Sequence, residues 1–301
     1  MIETPAIVIT SLGRTGTKFF TALFGELLPD ATSLHEPDYL NFGQYRGVSE
    51  KTNQVVRQLQ EVGMRNLIIR KALGQWSLKE LSDARVRRQL SYEDAVRNVL
   101  SQRKQFISSR KGSIYIESSS AYYGLIDVLT DVYQRHKVAY IVRDGRHWVR
   151  SMINFQPGYN RGRIRRLISP PLPSASEIAD DPFNSRWPSM SLFQQLCWAW
   201  STLNKYAIET ISDNPNARLF QFEDIFQTDD RYQHLKELVQ FLTFDSHRRW
   251  ISTGALDGWL DRKIHKSQGE FPAWGQWSNN RKQQFLEICG PLMERLGYEL
   301  N

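Results

Sequence analysis

The chain begins with a strongly apolar run that gives way to a polar turn and then to a helical pattern. Ala6 to Ile9 are apolar without interruption, which is typical of a strand buried on both faces. The turn that follows, residues 11–17, has the sequence SLGRTGT. Apolar residues then recur at helical spacing, at Phe19, Phe20, Leu23, Phe24, Leu27 and Leu28. This pattern predicts a strand, a glycine-containing turn and a helix.

The same order of elements returns later in the chain. Residues 137–155 contain an apolar run from Val138 to Val142, then a polar turn and a helix-like segment. Residues 49–62 and 91–108 have helical patterns, whereas residues 66–73 fit either a strand or the start of a helix. Alternating strands and helices favour right-handed crossovers and a parallel sheet. We therefore expect an α/β fold, a three-layer sandwich with a central, mostly parallel sheet flanked by helices.

Residues 156–190 interrupt this alternation. The segment is rich in proline, shows no sustained periodicity and contains a basic cluster at Arg161, Arg163, Arg165 and Arg166. A loop of this length is usually functional or disordered. Two interpretations stay open: a lid over a ligand pocket, with its arginines near an anion, or a mobile solvated loop. A long helix from Ser191 to about Ser212, a strand at 218–222 and C-terminal helices are expected to complete the chain.

Length and charge fit one enzyme-sized domain but do not select a function. The 301 residues are expected to form a single domain, 1–301, with the 156–190 segment as an insertion. The formal net charge of +7 suits a nucleotide carrying several phosphates, but also nucleic acid or an acidic membrane surface. Charge alone therefore leaves these classes open.

The cysteines and the N-terminal sequence suggest a cytoplasmic protein. Cys197 and Cys289 lie in helix-like, apolar segments and are expected to be buried free thiols of a reducing compartment. The N-terminal residues lack the basic and apolar regions of a secretory signal, and no apolar run approaches the length of a membrane span. We expect a soluble, cytoplasmic chain without a membrane span.

The first turn has the composition of a phosphate-binding loop. Gly13 and Gly16 allow close approach of the backbone, and the amides of residues 15–18 (Thr15, Gly16, Thr17 and Lys18) would face an anion at the positive end of the helix. The motif of nucleoside triphosphatases requires four residues between its glycines and a Ser or Thr after its Lys. Here only two residues separate the glycines, and Phe19 follows Lys18. A capped helix without a ligand is the alternative at this stage.

The second strand and turn offer a matching pair of polar groups. Arg143 stands at the end of the apolar run, and Ser151 follows eight positions later, about two helical turns along. A guanidinium and a hydroxyl at this spacing could hold one phosphate between them. The alternatives are a surface ion pair of Arg143 with Asp144 and a solvated serine.

Together these two motifs resemble the sulfotransferases that use 3′-phosphoadenosine 5′-phosphosulfate (PAPS), a family with a P-loop-like nucleotide-binding topology. Residues 14–19, RTGTKF, are similar to the family's loop [KR]-[ST]-G-T-x-[FWL], which surrounds the 5′-phosphosulfate. Residues 143–151 match its second motif, R-[DN]-x-[RK]-x-x-x-x-S, whose Arg and Ser bind the 3′-phosphate. The resemblance implies PAPS as the donor, 3′,5′-ADP (PAP) as the product and no metal.

The resemblance extends along most of the chain. Residues 31–39 are similar to the strand and turn that carry a catalytic Glu in many family members, which implies Glu36. Residues 113–123 resemble the third strand, where Glu117 could orient substrate or bond to backbone amides. Residues 217–226 and the C-terminal tail resemble structural signatures of the family.

Several features depart from the family's pattern. The Lys that follows the third-strand Glu in several branches is replaced by Ser118, and the His catalyst of the cytosolic small-molecule enzymes is absent from residues 113–123. The C-terminal R-K-G loop is also missing. Lys266 is the candidate there for a 3′-phosphate contact, with a solvated lysine as the alternative.

These residues suggest roles in sulfuryl transfer. Arg14 is expected to neutralise the leaving phosphate. Lys18 follows on the first helical turn, where its backbone amide is expected to contact the anion and its ammonium either reaches a phosphate or faces solvent. Glu36 is expected to act as general base, with His35 as its rival. Because side chains alternate along a strand, His35 and Glu36 are not both expected to point into the same cavity. One of Trp274 and Trp277 could stack on the adenine, although helix packing is the commoner role of such residues.

Two other functions compete with this hypothesis: a P-loop kinase or other nucleotide phosphotransferase, and a basic nucleic-acid-binding protein. The failed triphosphatase spacing disfavours the first, and the lack of a recognisable nucleic-acid motif disfavours the second. The expected partner is a small-molecule or carbohydrate-like acceptor rather than nucleic acid. The sequence does not select oxygen or nitrogen as the sulfated atom, nor a monomer or a homodimer.

Overall fold

The computed structural model describes residues 1–38, 76–108, 110, 112–155, 172–245, 254, 256–262 and 269–300. Four predictions made from the sequence fall outside these ranges. They are the helix at 49–62, the strand or helix at 66–73, the role of the arginine cluster at 161–166, and the phosphate contact of Lys266.

A five-stranded parallel sheet organises the described residues. Its strands, in chain order, are β1 (Ala6–Thr10), β2 (Ala31–His35), β3 (Ile114–Ser119), β4 (His136–Val142) and β5 (Ala217–Gln221). Their order across the sheet is β2-β3-β1-β4-β5, and every pairing is parallel. β1 therefore lies in the middle, hydrogen-bonded to β3 on one side and to β4 on the other, so that all the carboxyl ends meet at one edge.

The helices of the described ranges connect and flank these strands. They are α1 (Thr17–Leu27), α2 (Leu78–Val86), α3 (Tyr92–Ser108), α4 (Leu129–Val132), α5 (Gly145–Phe155), α6 (Leu192–Ser212), α7 (Phe222–Phe226), α8 (Arg231–Leu242) and α9 (Asn279–Arg295). Short 3₁₀ turns occur at Ala175–Glu177, Trp187–Ser189 and Trp274–Gln276.

Two hydrophobic cores cover the two faces of the sheet. Along β1, Ala6 and Val8 belong to a core built with α2, α3, α5, α6 and α9, whereas Ile7 and Ile9 belong to a core built with α1, α7 and α8. This division follows from the alternation of side chains along a strand. The predicted α/β fold, with a central parallel sheet between helical layers, is confirmed.

The local predictions hold to within a residue or two where the structure describes them. The long helix has Ser191 as its N-cap, in a capping box with Gln194. The fifth strand ends at Gln221, one residue before the predicted end, because Phe222 already begins α7. Cys197 and Cys289 are buried free thiols, as expected. The described part of the predicted insertion, from residue 172 onward, packs against α6, where the Trp198 indole donates to Asp181.

Candidate active site

The two predicted turns meet at the carboxyl edge of the sheet. β1 and β4 are neighbours, so the turn after each strand emerges at the same place. The Arg143 guanidinium donates through Nη1 to the Arg14 carbonyl oxygen at 2.8 Å, and Arg14 Nε donates to Ser151 Oγ at 3.1 Å. The three residues that the sequence placed in two separate motifs thus form one contact network, in which Arg14 takes part through both its backbone and its side chain.

The first turn has an unusual backbone that opens its amides to a ligand. Gly13 and Gly16 both have φ of 81°, and Arg14 between them has φ of 60°, a left-handed conformation that costs a non-glycine residue about 1 kcal/mol or more. The loop is held by hydrogen bonds from the Gly13 amide to Ser11 Oγ at 2.9 Å and from Trp148 Nε1 to the Gly13 carbonyl at 3.1 Å. Strain maintained in this way is typical of ligand-binding loops.

The loop presents backbone donors at the start of α1. In the described part of the chain, the amides of Thr15, Gly16 and Thr17 have no hydrogen-bond acceptor, and the helix has no side-chain cap at Gly16. Unpaired amides together with the positive end of the helix dipole favour an anion. The local geometry therefore matches the phosphate-binding loop expected from the sequence, residues 11–17, which we call the anion loop.

Two guanidinium groups add positive charge to the same place. Among the described residues, neither Arg14 nor Arg143 has a carboxylate oxygen within 4.0 Å, although both side chains are largely withdrawn from solvent. Burial lowers the pKa of Arg14. Burial is also the main cause that lowers the pKa of Arg143; the Glu223 carboxylate opposes it, and the Arg14 charge adds to it. Arginine nevertheless stays charged at neutral pH.

Aromatic rings support these guanidiniums without neutralising them. The Arg14 guanidinium lies 4.5 Å from the centre of the Phe155 ring, and that of Arg143 lies 4.6 Å from the centre of the Phe222 ring. The Nε atom of Arg143 is buried and has no hydrogen-bond partner in the described part of the chain. Two like charges and an unpaired buried donor together make a site that a multiply charged anion would complete.

Residues that the sequence analysis did not assign to the site hold the second turn. The Trp200 indole donates to the Arg143 carbonyl at 2.9 Å, and Glu223 accepts from the Asp144 amide at 3.2 Å. Tyr298 in turn donates to Glu223 at 3.0 Å, which joins the two segments, 217–226 and the C-terminal tail, that the sequence marked as structural. These contacts link residues far apart in the chain, so local patterns could not reveal them.

The candidate base lies in a second cluster, at the ends of β2 and β3. Glu36 Oε1 accepts from Ser120 Oγ at 2.8 Å, and Glu36 Oε2 lies 3.8 Å from His35 Nε2. The strand alternation expected to keep these two side chains apart therefore does not hold at Glu36. Glu36 has φ of 43°, so the chain leaves the extended conformation at this residue and the alternation of faces ends.

The tautomer of His35 follows from its neighbours. His35 Nδ1 lies 3.2 Å from the Ser118 carbonyl oxygen, which can only accept, so Nδ1 carries the hydrogen and Nε2 is the atom turned toward Glu36. Burial is the main cause that lowers the pKa of His35, whereas the Glu36 charge opposes it. His35 is therefore neutral at pH 7, with an available lone pair on Nε2.

The two clusters adjoin each other. A Cβ atom added to Gly13 in the anion loop would lie 3.7 Å from Cβ of Ser120, the residue that donates to Glu36. The Lys18 ammonium is influenced from both sides: burial lowers its pKa most, the Glu36 charge raises it, and the Arg14 charge lowers it. Lys18 thus connects the anion loop electrostatically with the candidate base.

Glu117 is placed differently from the substrate contact expected from the sequence. It is fully buried: Arg103 donates to its Oε1 at 2.7 Å, and Tyr115 and Tyr122 donate to its Oε2 at 2.6 and 2.8 Å. Burial raises the pKa of Glu117, and the Arg103 charge opposes that rise. Both oxygens are engaged within the protein, so we leave Glu117 out of the substrate-binding surface.

The segment after Lys266 docks on the helix that carries Ser151. Arg150 Nε donates to the Phe271 carbonyl at 3.0 Å, and the Phe271 amide donates to Asn154 Oδ1 at 2.9 Å. Trp274 and Trp277 both form edge contacts with Phe285 of α9. Helix packing, the commoner role foreseen for these tryptophans, is therefore what the structure displays.

No group of three or more His, Cys, Asp or Glu side chains in the described ranges is arranged to hold a metal ion. None of the helices in those ranges combines the length and the apolar character needed to cross a membrane.

Comparisons with known proteins identify similar structures only. No family model matches the sequence. No curated protein matches it either. Among solved structures, the sulfotransferase domain from the curacin biosynthetic pathway is 14% identical, with 100% of this chain and 99% of that one covered, at a TM-score of 0.46. A sulfotransferase from Mycobacterium tuberculosis is 14% identical over 96% of this chain and 78% of that one, with a TM-score of 0.47. A sulfotransferase from Alicyclobacillus acidocaldarius is 11% identical over 99% of this chain and 98% of that one, with a TM-score of 0.42. These three TM-scores are below 0.5, so the similarities to these structures carry no functional argument.

Proposed function

We propose that this chain is a sulfotransferase that uses PAPS as donor and transfers the sulfuryl group to a hydroxyl or amine of a small-molecule or carbohydrate-like acceptor. One observation carries the proposal. Two strand-end turns, which match the two PAPS-binding motifs in sequence, meet through Arg14, Arg143 and Ser151 beside a His–Glu pair.

The donor set fits a nucleotide with phosphate groups at both ends. The amides of residues 15–17 and the Arg14 side chain would hold the 5′-phosphosulfate, and Arg143 with Ser151 would hold the 3′-phosphate. The unpaired Nε of Arg143 and the absence of carboxylate partners for both arginines, among the described residues, support this fit. An anion with several charges would relieve the repulsion between the two guanidiniums.

Each side chain then has a defined task. PAPS, when bound, supplies an activated sulfuryl group. Arg14 balances the negative charge that grows on the leaving phosphate, and because it is permanently charged its role is electrostatic. Glu36 takes the proton from the attacking acceptor atom, and Ser120 orients the Glu36 carboxylate by donating to Oε1. The Lys18 ammonium, which the charges of Glu36 and Arg14 both influence, adds positive potential to the site.

Glu36 is the proposed base, and His35 is the rival. Glu36 has one carboxylate oxygen turned toward the gap between the two side chains. His35 also turns a lone pair toward this gap, but its imidazole is tied to the Ser118 carbonyl and burial disfavours its charged form. A base that becomes charged on accepting a proton is therefore less suited to this position than one that becomes neutral.

Ligand-specific stabilisation tests the proposed function. We expect 3′,5′-ADP without metal to raise the melting temperature of the protein, with a shift that grows with ligand concentration because the ligand binds only the folded state. ATP with Mg²⁺ should give a clearly smaller shift. Stabilisation by ATP·Mg²⁺ alone would indicate a kinase instead, and salt-sensitive binding of RNA or DNA without any response to PAP would indicate a nucleic-acid-binding protein.

Acceptor identity needs a separate assay. Incubation with PAPS labelled with sulfur-35 and a panel of sugars, alcohols, phenols and amines would identify the sulfated product by chromatography. Transfer to any member of the panel, lost in the Arg14→Ala variant, supports the assignment. Tight PAP binding without transfer from PAPS to any acceptor or to water would contradict catalysis while leaving the nucleotide site intact.

A further inference from the structure

A buried cluster of charges lies beneath the turn that carries Glu36. Its centre is Arg103 of α3, whose side chain is 1% exposed and contacts two carboxylates. Asp38, which follows Glu36 by two residues, has a side chain that is 5% exposed, and that of Glu117 on β3 is 0% exposed. Such a cluster is unusual in a core, because charged side chains are rarely buried completely.

The contacts of Arg103 join the two chain segments that position Glu36. Arg103 donates to both oxygens of Asp38, at 3.2 and 2.7 Å, which fixes the end of the turn after β2. The same guanidinium donates to Glu117 at 2.7 Å, which fixes β3. Three residues beyond Glu117, Ser120 donates to the Glu36 carboxylate.

Stability alone does not account for this arrangement. Withdrawing one guanidinium and two carboxylates from water carries a large desolvation cost, and well-packed apolar residues of similar size often stabilise a protein as much or more. The turn above the cluster, however, contains Glu36 in a left-handed conformation, which persists only where the surroundings constrain it. A bidentate guanidinium contact provides that constraint with a defined direction.

We propose that Arg103 is a positioning residue, a clamp that ties the Glu36 turn to β3 through Asp38 and Glu117. The clamp deepens the proposed function and rests on it for its catalytic consequence. Arg103 does not touch the reacting atoms: it acts through Asp38, by keeping the Glu36 carboxylate against Ser120 and facing His35.

The Asp38→Asn variant tests the clamp, since asparagine keeps the shape of the side chain but removes its charge. The matched control is Asp127→Asn, which removes the charge of another largely buried carboxylate, paired with Arg85. Asp127 lies toward the opposite edge of the sheet: its neighbour Ile126 accepts from Asn214, which contacts His136 at the start of β4. Arg103→Lys serves as a second variant, because lysine keeps the positive charge but cannot make the bidentate contact with Asp38.

Hydrogen exchange measures the clamp without any assumption about function. The Glu36 amide is bonded to the Ser118 carbonyl at 3.0 Å, so its exchange reports on the turn. We expect Asp38→Asn and Arg103→Lys to accelerate exchange at Glu36 at least tenfold while the amides of Ile114 to Ile116 keep their protection. Asp127→Asn should leave both regions unchanged. Unchanged exchange at Glu36 in both clamp variants would overturn the proposal.

Kinetics test the catalytic consequence. With PAPS and water as the acceptor, PAP release should slow ten- to a hundredfold in Asp38→Asn, whereas the dissociation constant for PAP should change less than threefold. In the Glu36→Gln background, Asp38→Asn should have less than a twofold further effect, because the residue it positions is already lost. An equal loss in both backgrounds would assign Asp38 a merely structural role. Failure of the wild-type protein to bind PAP would refute the proposed function instead, and the exchange measurement would still decide the clamp.

Discussion

Arg14→Gly is expected to separate ligand binding from folding. Arg14 has a φ of 60°, which glycine adopts freely, so the substitution removes about 1 kcal/mol of backbone strain. Against this, glycine adds about 0.4–1 kcal/mol of freedom to the unfolded chain. The lost hydrogen bond to Ser151 costs about 1 kcal/mol more, partly offset because a buried charge also disappears. These contributions nearly cancel.

The effect on nucleotide affinity should be much larger. A charge-assisted contact to phosphate contributes about 1.5–3 kcal/mol, and each 1.4 kcal/mol is about a factor of ten in affinity. We therefore expect the dissociation constant for PAP, measured by calorimetry, to rise at least tenfold in Arg14→Gly. The free energy of unfolding, measured in urea without ligand, should change by less than about 1 kcal/mol.

Arg88→Gly is the matched control. Arg88 has the same left-handed conformation, with φ of 57°, but its side chain is exposed and pairs with Asp180 on the surface. Its replacement by glycine should have a similarly small effect on stability and no effect on PAP binding. A loss of stability well above 1 kcal/mol in Arg14→Gly with PAP affinity unchanged would refute the reasoning, since Arg14 would then be a structural residue.

Three further predictions concern the same site. Glu36→Gln should lower kcat for PAPS turnover by about two to four orders of magnitude with PAP binding partly retained, and full activity in this variant would transfer the role of base to His35. Arg143→Ala should mainly weaken PAP binding, which calorimetry measures; an unchanged dissociation constant would remove Arg143 from the nucleotide site. Because burial lowers the pKa of folded His35, the unfolded chain takes up its proton first, so the unfolding free energy should fall as the pH drops below about 6.5. Urea denaturation between pH 5 and 8 should show a shallower fall in His35→Gln, and an unchanged slope would contradict a buried neutral imidazole; His136, whose pKa burial also lowers, should contribute separately.

Local sequence patterns predicted most of the elements that the structure describes. The strand at Ala6–Thr10, the turn and helix α1 could be recognised because a buried parallel strand is continuously apolar and an amphipathic helix repeats every three to four residues. The glycines of the anion loop were also a local signal, because glycine adopts the positive φ of this turn more readily than other residues. The meeting of Arg14 with Arg143 was expected from the family motifs, and the adjacency of β1 and β4 produces it.

The orientation of Glu36 depended on the tertiary structure. Strand alternation predicted that His35 and Glu36 would not share a cavity, but the chain leaves the strand at Glu36 and brings the two side chains to 3.8 Å. The same holds for Glu117, which the sequence placed near substrate and which Arg103 draws into a buried cluster.

From the sequence alone, then, came the class of fold, the anion loop and the identity of the candidate phosphate ligands, because each depends on neighbours a few positions away. The tertiary structure alone decided which side chains surround Glu36 and how its turn is held. Arg103 and Asp38 are 65 residues apart, and Ser120 and Glu36 are 84 apart. No local pattern specifies such contacts, because they arise only when the parallel sheet brings the ends of its strands to a common edge.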